Sequence, residues 1–374
     1  MKILVLSHEY PPIGGGGGMV AKDLAMGLAA RGHQVVILTT KVDGLEEDPV
    51  IENMRVERIA TFRKSAFKAG LMDMAAYNLA ALWHGALLVR KWKPDMIHAH
   101  FAVPAGAVAL LLSAAFKVPY VVTAHLGDVP GAVPSKTENW FRWIFPFTHT
   151  IWKNATKVIA VSEFTRQLAL RHYEVPIQVI HNGVELPLLN LPTTPTDTSQ
   201  PVRLMFAGRF AEQKNPSHLV QALASLRELN WVCNMMGDGP LYEQIKAQVK
   251  DMGMQDKFVF FGWVTPEQVK DAFSQNDILI LPSSSEGLSV VGVQALANGL
   301  VMVLSNAGGN PELVNGQNGD LFEVGNIAEL TDALRKYISD HKALLNARYK
   351  SVEFSRKFEL EKIVAQYEKA FQNI

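Results

Sequence analysis

Cysteine is nearly missing from this chain: Cys233 stands alone among 374 residues. One thiol excludes an internal disulfide framework and any metal site built from cysteines, and it suits a reducing compartment. Long apolar runs are missing too. No window holds the roughly 18 or more consecutive apolar residues that a membrane-crossing helix needs. The longest candidate, PAGAVALLLSAAF at 104–116, is short and alanine-rich and reads as a buried helix. The opening MKILVLSHEY has too few apolar residues before polar ones for a secretory leader, so none is expected. Net charge is zero, with 36 basic and 36 acidic residues, which argues against a general nucleic-acid binder.

What is present is an ordinary globular composition, 48% hydrophobic and 19% charged, with enough length for two or three domains. The charge is unevenly spread. Up to Leu186 there are 19 basic and 15 acidic residues, leaving 17 and 21 for the remainder. Between Arg55 and Lys93 stand eight basic residues and two acids. Such a patch suits an anionic lipid surface or acceptor; a solvated helix face is the plainer alternative.

Both halves alternate short apolar runs with longer amphipathic ones. The first half offers KILVLS, QVVILTT, MRVERIA, DMIHAH, PYVVTAH, KVIAVS and IQVIHN as strands; the second offers VRLMFAG, WVCNMMG, KFVFFGW, DILILP and VMVLSN. Runs nearly continuous in Val, Ile and Leu belong to parallel strands covered on both faces. Between the halves, LPLLNLPTTPTDTSQP has the composition of a linker. The expected organisation is a first α/β domain at 1–186, a linker at 187–201, a second α/β domain at 202–355, and a helical tail at 356–374 that would return to the first. Ligands of open parallel sheets bind beyond the carboxyl ends of the strands, so the residues there carry the chemistry.

Three such places stand out. After the first strand, YPPIGGGGGMV lets the backbone approach a ligand and aims a helix start at it, which favours phosphate. It is not a P-loop, because the Gly-Lys-Ser/Thr ending is missing, and no acid at the tip of QVVILTT supports a dinucleotide fingerprint. After VRLMFAG come Arg209 and Lys214, a planar fork and a mobile point charge that together suit a diphosphate. After DILILP, the stretch SSSEGLSVVGVQALANG sets Glu286 before a helix start at Ser289, with the amides of Leu288, Ser289 and Val290 expected to be free for an anion. Gln294 is polar among Val, Ala and Leu and can face the same place. His125 and Asp128 form a fourth group on a glycine turn. His98 and His100 share one face of DMIHAH, but no third metal ligand follows by spacing.

The order and spacing of these pieces resemble the retaining GT-B glycosyltransferases of family four, the sugar-nucleotide-dependent group 1 enzymes. YPP…GG, DMIHAH, TAHLGD, VSEFTR, VIHNGV, AGRFAEQKN, MGDGP, FFGWV and PSSSEGLSVVGVQALANG carry the resemblance over nearly the whole chain. It implies two Rossmann-like parallel-sheet domains facing a central cleft. It also implies transfer of a sugar from a nucleoside diphosphate, with UDP foremost, to a hydroxyl of a glycan, lipid-linked or small-molecule acceptor. Retention of anomeric configuration is implied as well. The sugar nucleotide is a co-substrate; no separate cofactor and no metal are expected.

The resemblance assigns Gly15, Gly16 and Gly17 to the donor diphosphate, and Arg209 and Lys214 to the leaving group. Backbone groups near Val264 would hold the nucleobase. Glu286 would meet the donor sugar, the amides from Gly287 through Leu288 and Ser289 to Val290 the phosphates, and His125 an outer sugar hydroxyl. Gln294 stands where the family has a second acid for the ribose; its amide can still accept from one hydroxyl and donate to another. On the acceptor side, Asp128 and the aromatic stretch 140–152, with Trp140, Arg142 and Trp143, are candidates. Core packing explains that stretch equally well; with the basic run it also points to a lipid-linked acceptor and peripheral contact with the cytoplasmic face of a membrane. A sugar-nucleotide 2-epimerase of the same architecture and a non-catalytic sugar-nucleotide-binding protein are the competing readings.

Overall fold

The computed structural model describes residues 1–42, 44, 48–61, 63, 70–132, 147–188, 191, 199–372 and 374. Two compact units emerge: Met1–Gly183 together with Leu360–Ile374, and Val184–Glu359. The linker expected at 187–201 lies mostly outside the described residues.

The first unit is built on seven strands: β1 (Lys2–Leu6), β2 (Gln34–Lys41), β3 (Met54–Ala60), β4 (Met96–His100), β5 (Tyr120–Ala124), β6 (Lys157–Ala160) and β7 (Ile177–Val179). All are parallel, in the order β3-β2-β1-β4-β5-β6-β7. Its helices are α1 (Gly16–Ala30), α2 (Leu71–Trp92), α3 (Ala107–Phe116), α4 (described over 147–154), α5 (Glu163–Leu170) and, from the end of the chain, α12 (Leu360–Phe371). Strand alternation sends Ile3 and Val5 to one face, where they meet Leu24, Leu28, Ile363 and Tyr367. Leu4 and Leu6 go to the other, against Tyr77, Leu88 and Leu112. Both faces of β1 are dry, which is why the run KILVL shows no polar alternation.

The last helix completes the first core. Ile363, Val364, Tyr367, Ala370 and Phe371 are buried at helical spacing. Gly27 on α1 admits Val364, since a Cβ there would lie 2.4 Å from its Cγ2. Glu368 closes the contact, accepting from Arg31 at 2.7 Å and bonding His33 at 2.9 Å. The chain enters this helix after Glu359, slightly later than the tail boundary read at 356.

The second unit repeats the plan. Its strands are β8 (Val202–Ala207), β9 (Trp231–Met236), β10 (Phe258–Gly262), β11 (Ile278–Leu281), β12 (Val301–Ser305) and β13 (Gly319–Phe322), in the parallel order β10-β9-β8-β11-β12-β13. Its helices are α6 (Pro216–Ala224), α7 (Tyr242–Asp251), α8 (Pro266–Phe273), α9 (Val290–Ala297), α10 (Ile327–Ser339) and α11 (His341–Ser355). β13 was not among the expected strands: GDLF is four residues long and follows the turn-rich NGQN. Strand order reverses between β1 and β4 in one sheet and between β8 and β11 in the other. At such reversals the outgoing chains part and leave room for a ligand.

Phe371→Ala is expected to lower stability by about 3–5 kcal/mol through the cavity it opens under the first sheet. Differential scanning calorimetry would show a lower first transition; an unchanged transition would mean that α12 is dispensable for that core.

Candidate functional site

In the second unit the two chains leaving the reversal point are those after β8 and β11. Beyond Ala207 the chain turns through Gly208, Arg209 and Phe210, and the exit of β9 holds this turn in place. Gly208 N donates to Met236 O and Phe210 N to Asp238 O, each at 3.0 Å. Glycine is required at 237 and 239: a Cβ would lie 2.0 Å from Gly208 O and 2.5 Å from Phe210 O, and both residues have positive φ. The backbone under Arg209 is therefore fixed, while its side chain is exposed. Among the described residues its guanidinium has no hydrogen-bond or ion-pair partner.

Lys214 ends a short 3₁₀ turn, Glu212–Lys214, and its Nζ lies 2.5 Å from Glu286 Oε1. Ser283 Oγ donates to the same oxygen at 2.7 Å. Gln213 stitches the loops further, its Nε2 donating to Ser285 O at 2.9 Å and its carbonyl accepting from Ser284 N at 2.8 Å. From the next strand exit, Gly309 N donates to Glu286 O at 3.0 Å, and a Cβ on Gly308 would fall 1.9 Å from that oxygen. Ser305 Oγ and Asn310 then brace the carbonyl of Ser283 and Ser305 itself. Glu286 is thus buried, immobile and charge-paired. Of the two cations read from sequence as suited to a diphosphate, Lys214 is ion-paired with Glu286, while Arg209 has no such partner among the described residues.

Helix α9 begins at Val290. Ser289 caps it, its Oγ accepting from Gly292 N at 3.2 Å. The amides of the first turn, Val290 and Val291, have no intrahelical acceptor, and Leu288 before the cap is buried. Gly287 is half-buried in the loop between Glu286 and the cap. Gln294 lies one turn below Val290 on the same helix face, half-buried. At the exit of β10, Gly237 N donates to Gly262 O at 2.8 Å. That bond brings the FFGWV segment beside the exit of β9, with Phe261 and Trp263 about half exposed and Val264 half-buried.

The first unit has a different character. Only part of its glycine loop is open. A Cβ on Gly14 would strike Glu9, and one on Gly17 would lie 2.3 Å from Phe101 Cζ. Gly15 has nothing within 4 Å of such a position, and α1 begins at Gly16. Glu9 Oε2 accepts from Gly15 N at 3.0 Å, so this chain's own carboxylate sits at the helix start read from sequence as a phosphate loop.

His125 follows β5 and lies among other rings. His100 is 5.8 Å away by ring centroids, His98 a further 4.4 Å, and Phe101 4.5 Å from His125 on its other side. His98 Nε2 bonds Thr123 Oγ1 at 2.8 Å, which bonds Tyr367 OH at 3.2 Å. Neither ring nitrogen of His100, nor Nε2 of His125, has a partner among the described residues. Burial holds these imidazoles neutral. It lowers His98 to about 3, His125 to about 4 with a further push from His8, and His100 well below the ordinary value. His8, also buried, is lowered to about 4. Among the described residues no group of three or more His, Cys, Asp or Glu is placed to hold a metal ion.

Two expectations are corrected here. Asp128, read as an acceptor-side group, is turned inward and 2% exposed. Its Oδ2 accepts from His125 N at 2.8 Å and its Oδ1 from Val103 N at 3.2 Å. Burial raises its pKa to about 7, opposed by these backbone bonds. It ties the exits of β4 and β5 together and so positions His125. The basic run from Arg55 is not one surface either. Arg55 pairs with Glu57, Arg58 with Asp48, and Arg63 is buried against His8 O. Lys64 and Lys68 lie outside the described residues, as do Trp140, Arg142 and Trp143. At the end of that aromatic stretch Trp152 is core, stacked on Tyr173 at 4.3 Å.

The bracing residues Gln213, Ser283, Gly308 and Asn310 had no sequence signal. They are small or polar loop residues whose partners lie on other strand exits.

Residues 14–187 match the family described as glycosyltransferase family 4, and residues 195–354 match the glycosyl transferases group 1. The chain is 26% identical to an uncharacterised glycosyltransferase of Methanocaldococcus jannaschii, covering all of this chain and 99% of that one. It is 25% identical to the N-acetyl-alpha-D-glucosaminyl L-malate synthase of Bacillus anthracis, covering 100% and 98%. Among solved structures, sucrose-phosphate synthase from Thermosynechococcus elongatus superposes with a TM-score of 0.86 at 21% identity, over 100% of this chain and 98% of that one. Anabaena HepE in complex with UDP-glucose does so with a TM-score of 0.76 at 19% identity, over the full length of both. At those identities the structures show the fold alone.

Two outcomes follow from the site's charges. Between about pH 4 and 6.5 the unfolded chain takes up protons at His8, His98, His100 and His125 that the folded chain refuses, so stability falls as pH drops through that window. Asp128 opposes this, since its raised pKa favours the folded state at low pH. With roughly three groups unbalanced, the loss near pH 5 is about 4 kcal/mol per pH unit. Thermal melts should fall steeply from pH 7 to pH 5; a flat profile would mean these rings are hydrated. Lys214→Met leaves Glu286 buried without its cation and should cost about 1–3 kcal/mol. The double variant with Glu286→Gln should recover much of that loss in the same melts.

Proposed function

The chain belongs to the family four and group 1 glycosyltransferases, with the paired parallel-sheet units of the GT-B fold, and from that premise we propose a specific reaction. It transfers a sugar from a nucleoside diphosphate, UDP foremost, to a hydroxyl with retention of anomeric configuration and without a metal ion. The observation that carries this reading is the unpaired Arg209 guanidinium at the β8–β11 reversal, on the same strand-exit rim as the Lys214–Glu286 pair and the first turn of α9.

In this reading the diphosphate takes the planar fork of Arg209 and the amides of Val290 and Val291. Glu286 Oε1 is held by Lys214 and Ser283, so its other oxygen accepts from a donor-sugar hydroxyl. As the bond from the anomeric carbon to the phosphate oxygen breaks, negative charge grows on the leaving diphosphate. Fixed donors already point at it, and Lys214 can share its charge without moving far. The acceptor oxygen bonds to the anomeric carbon on the face the phosphate leaves, and its proton passes to a departing phosphate oxygen. Arg209, Lys214 and the helix amides neutralise the charge that a divalent ion neutralises elsewhere.

His125 is neutral at physiological pH and serves as a hydrogen-bonding group toward a sugar hydroxyl, not as a charged acid. Gln294 takes the ribose diol through one accepted and one donated bond. The missing carboxylate weakens nucleotide affinity by about 1–2 kcal/mol. The segment from Phe261 to Val264 receives the base. The acceptor is a hydroxyl on a glycan, a small molecule or a lipid-linked carrier, the last met at the cytoplasmic face of a membrane.

The test is a thermal-shift screen of UDP-, GDP- and ADP-sugars, followed by mass spectrometry for released nucleoside diphosphate. One nucleotide should raise the melting temperature and its sugar should be lost. Arg209→Ala should weaken that binding by about 1.5–3 kcal/mol with no change in the melting temperature of the free protein. Equal binding by the variant contradicts the reading; an epimerised donor with no acceptor present points to the 2-epimerase instead.

A further inference from the structure

We propose that the outer face of α2 and α3 is a docking surface for an anionic lipid membrane. Helix α2, LMDMAAYNLAALWHGALLVRKW, carries only Asp73, Arg90 and Lys91 as charged residues. Tyr77, Ala81, Leu88 and Val89 bury one side in the first core. A helix this apolar all round is normally covered all round. This one is not: Met72, Leu79 and Trp83 are 74%, 75% and 68% exposed, and Leu87 38%. Leu79, Trp83 and Leu87 follow one another at i, i+4 spacing and form a continuous stripe. Gly85, on the side turned away from the stripe, lets α3 pack close, since a Cβ there would lie 2.7 Å from Leu112 Cδ1; Leu111 on α3 is 53% exposed.

The stripe ends in cations. Arg90 lies 5.6 Å over the ring of Phe116 and so spans the ends of both helices. Lys91 is exposed beside it, and Lys93 and Lys117 cap α2 and α3. The acids nearest this surface are occupied: Asp73 accepts from Gly70 N and Asp95 from Lys2 N, each at 2.7 Å. From Met74 to Lys93 there is no acid at all.

That charge pattern selects the occupant. A second copy meeting this face with its own would bring the same cations and no acid to meet them. An anionic monolayer supplies both halves of the match, acyl chains for Leu79, Trp83 and Leu87 and phosphates for Lys91 and Lys117. Trp83 in the stripe suits the depth of the headgroup boundary. No helix among the described residues is long and apolar enough to cross a membrane, so the contact is peripheral.

The proposal deepens the lipid-linked acceptor reading and rests on it only for its purpose. The test is therefore run without sugar nucleotide, so that its failure and the failure of the transfer reaction stay distinguishable. Co-sedimentation would compare phosphatidylcholine vesicles with and without phosphatidylglycerol at low salt. The protein should bind the phosphatidylglycerol vesicles. Trp83→Ser with Leu79→Ser should weaken partitioning by about tenfold or more, and Lys91→Gln with Lys117→Gln by roughly fivefold for each charge. All four substituted side chains are exposed, and unchanged melting temperatures would confirm intact folding. Binding that these variants leave unaltered overturns the proposal, as does no binding by the wild-type chain. A vesicle-free dimer that Trp83→Ser dissociates, seen by sedimentation velocity, would show a self-interface and overturn it too.

Discussion

Where a parallel sheet reverses its strand order, two adjacent strands send their chains apart and a gap opens at their exits. In the second unit one ion pair spans that gap. Lys214 comes from the loop after β8, Glu286 from the loop after β11, and their 2.5 Å contact is the tie on which the local geometry depends. Every neighbouring feature serves it. Ser283 holds the carboxylate, Gln213 laces the two loops, and Gly308 and Gly309 pin the Glu286 carbonyl. With those charges spent on each other, Arg209 stands without an ion-pair partner among the described residues, on a backbone that Gly237 and Gly239 hold rigid. Fixed donors of this kind need no reorganisation when charge appears, which is the main electrostatic route to fast group transfer.

The first unit offers nearly the reverse. Around the exits of β4 and β5 it gathers buried, neutral rings. His98, His100 and His125 run from the core to the rim; both ring nitrogens of His100 and Nε2 of His125 have no partner among the described residues, and Asp128 spends both oxygens on backbone amides. A neutral imidazole at that rim can donate or accept a hydrogen bond without adding charge.

Much of this was legible in the sequence, for physical reasons. Strands buried on both faces must be apolar throughout, so twelve of the thirteen could be read as runs; β13 escaped because four residues after a polar turn carry too little pattern. Arg209, Lys214, Glu286, His125 and the start of α9 stand out in the sequence because each follows an apolar run, and the structure places each beyond the end of a strand. What could not be read was which groups consume one another. Lys214 and Glu286 are 72 residues apart, and nothing local announces their pairing. Gly14 and Gly17 look like ligand-approach glycines but make room for Glu9 and Phe101. Arg58 and Arg63 count as surface charge by composition yet turn inward, while the exposed stripe on α2 looks, in one dimension, like core.

The proposed reaction requires a diphosphate seated at the β8–β11 exit. The most direct measurement is a crystal structure of the protein grown with UDP. Phosphate oxygens should lie within hydrogen-bonding distance of the Arg209 guanidinium and of the amides of Val290 or Val291. A nucleotide bound elsewhere, or Arg209 directed into solvent with that rim unoccupied at saturating UDP, would contradict it.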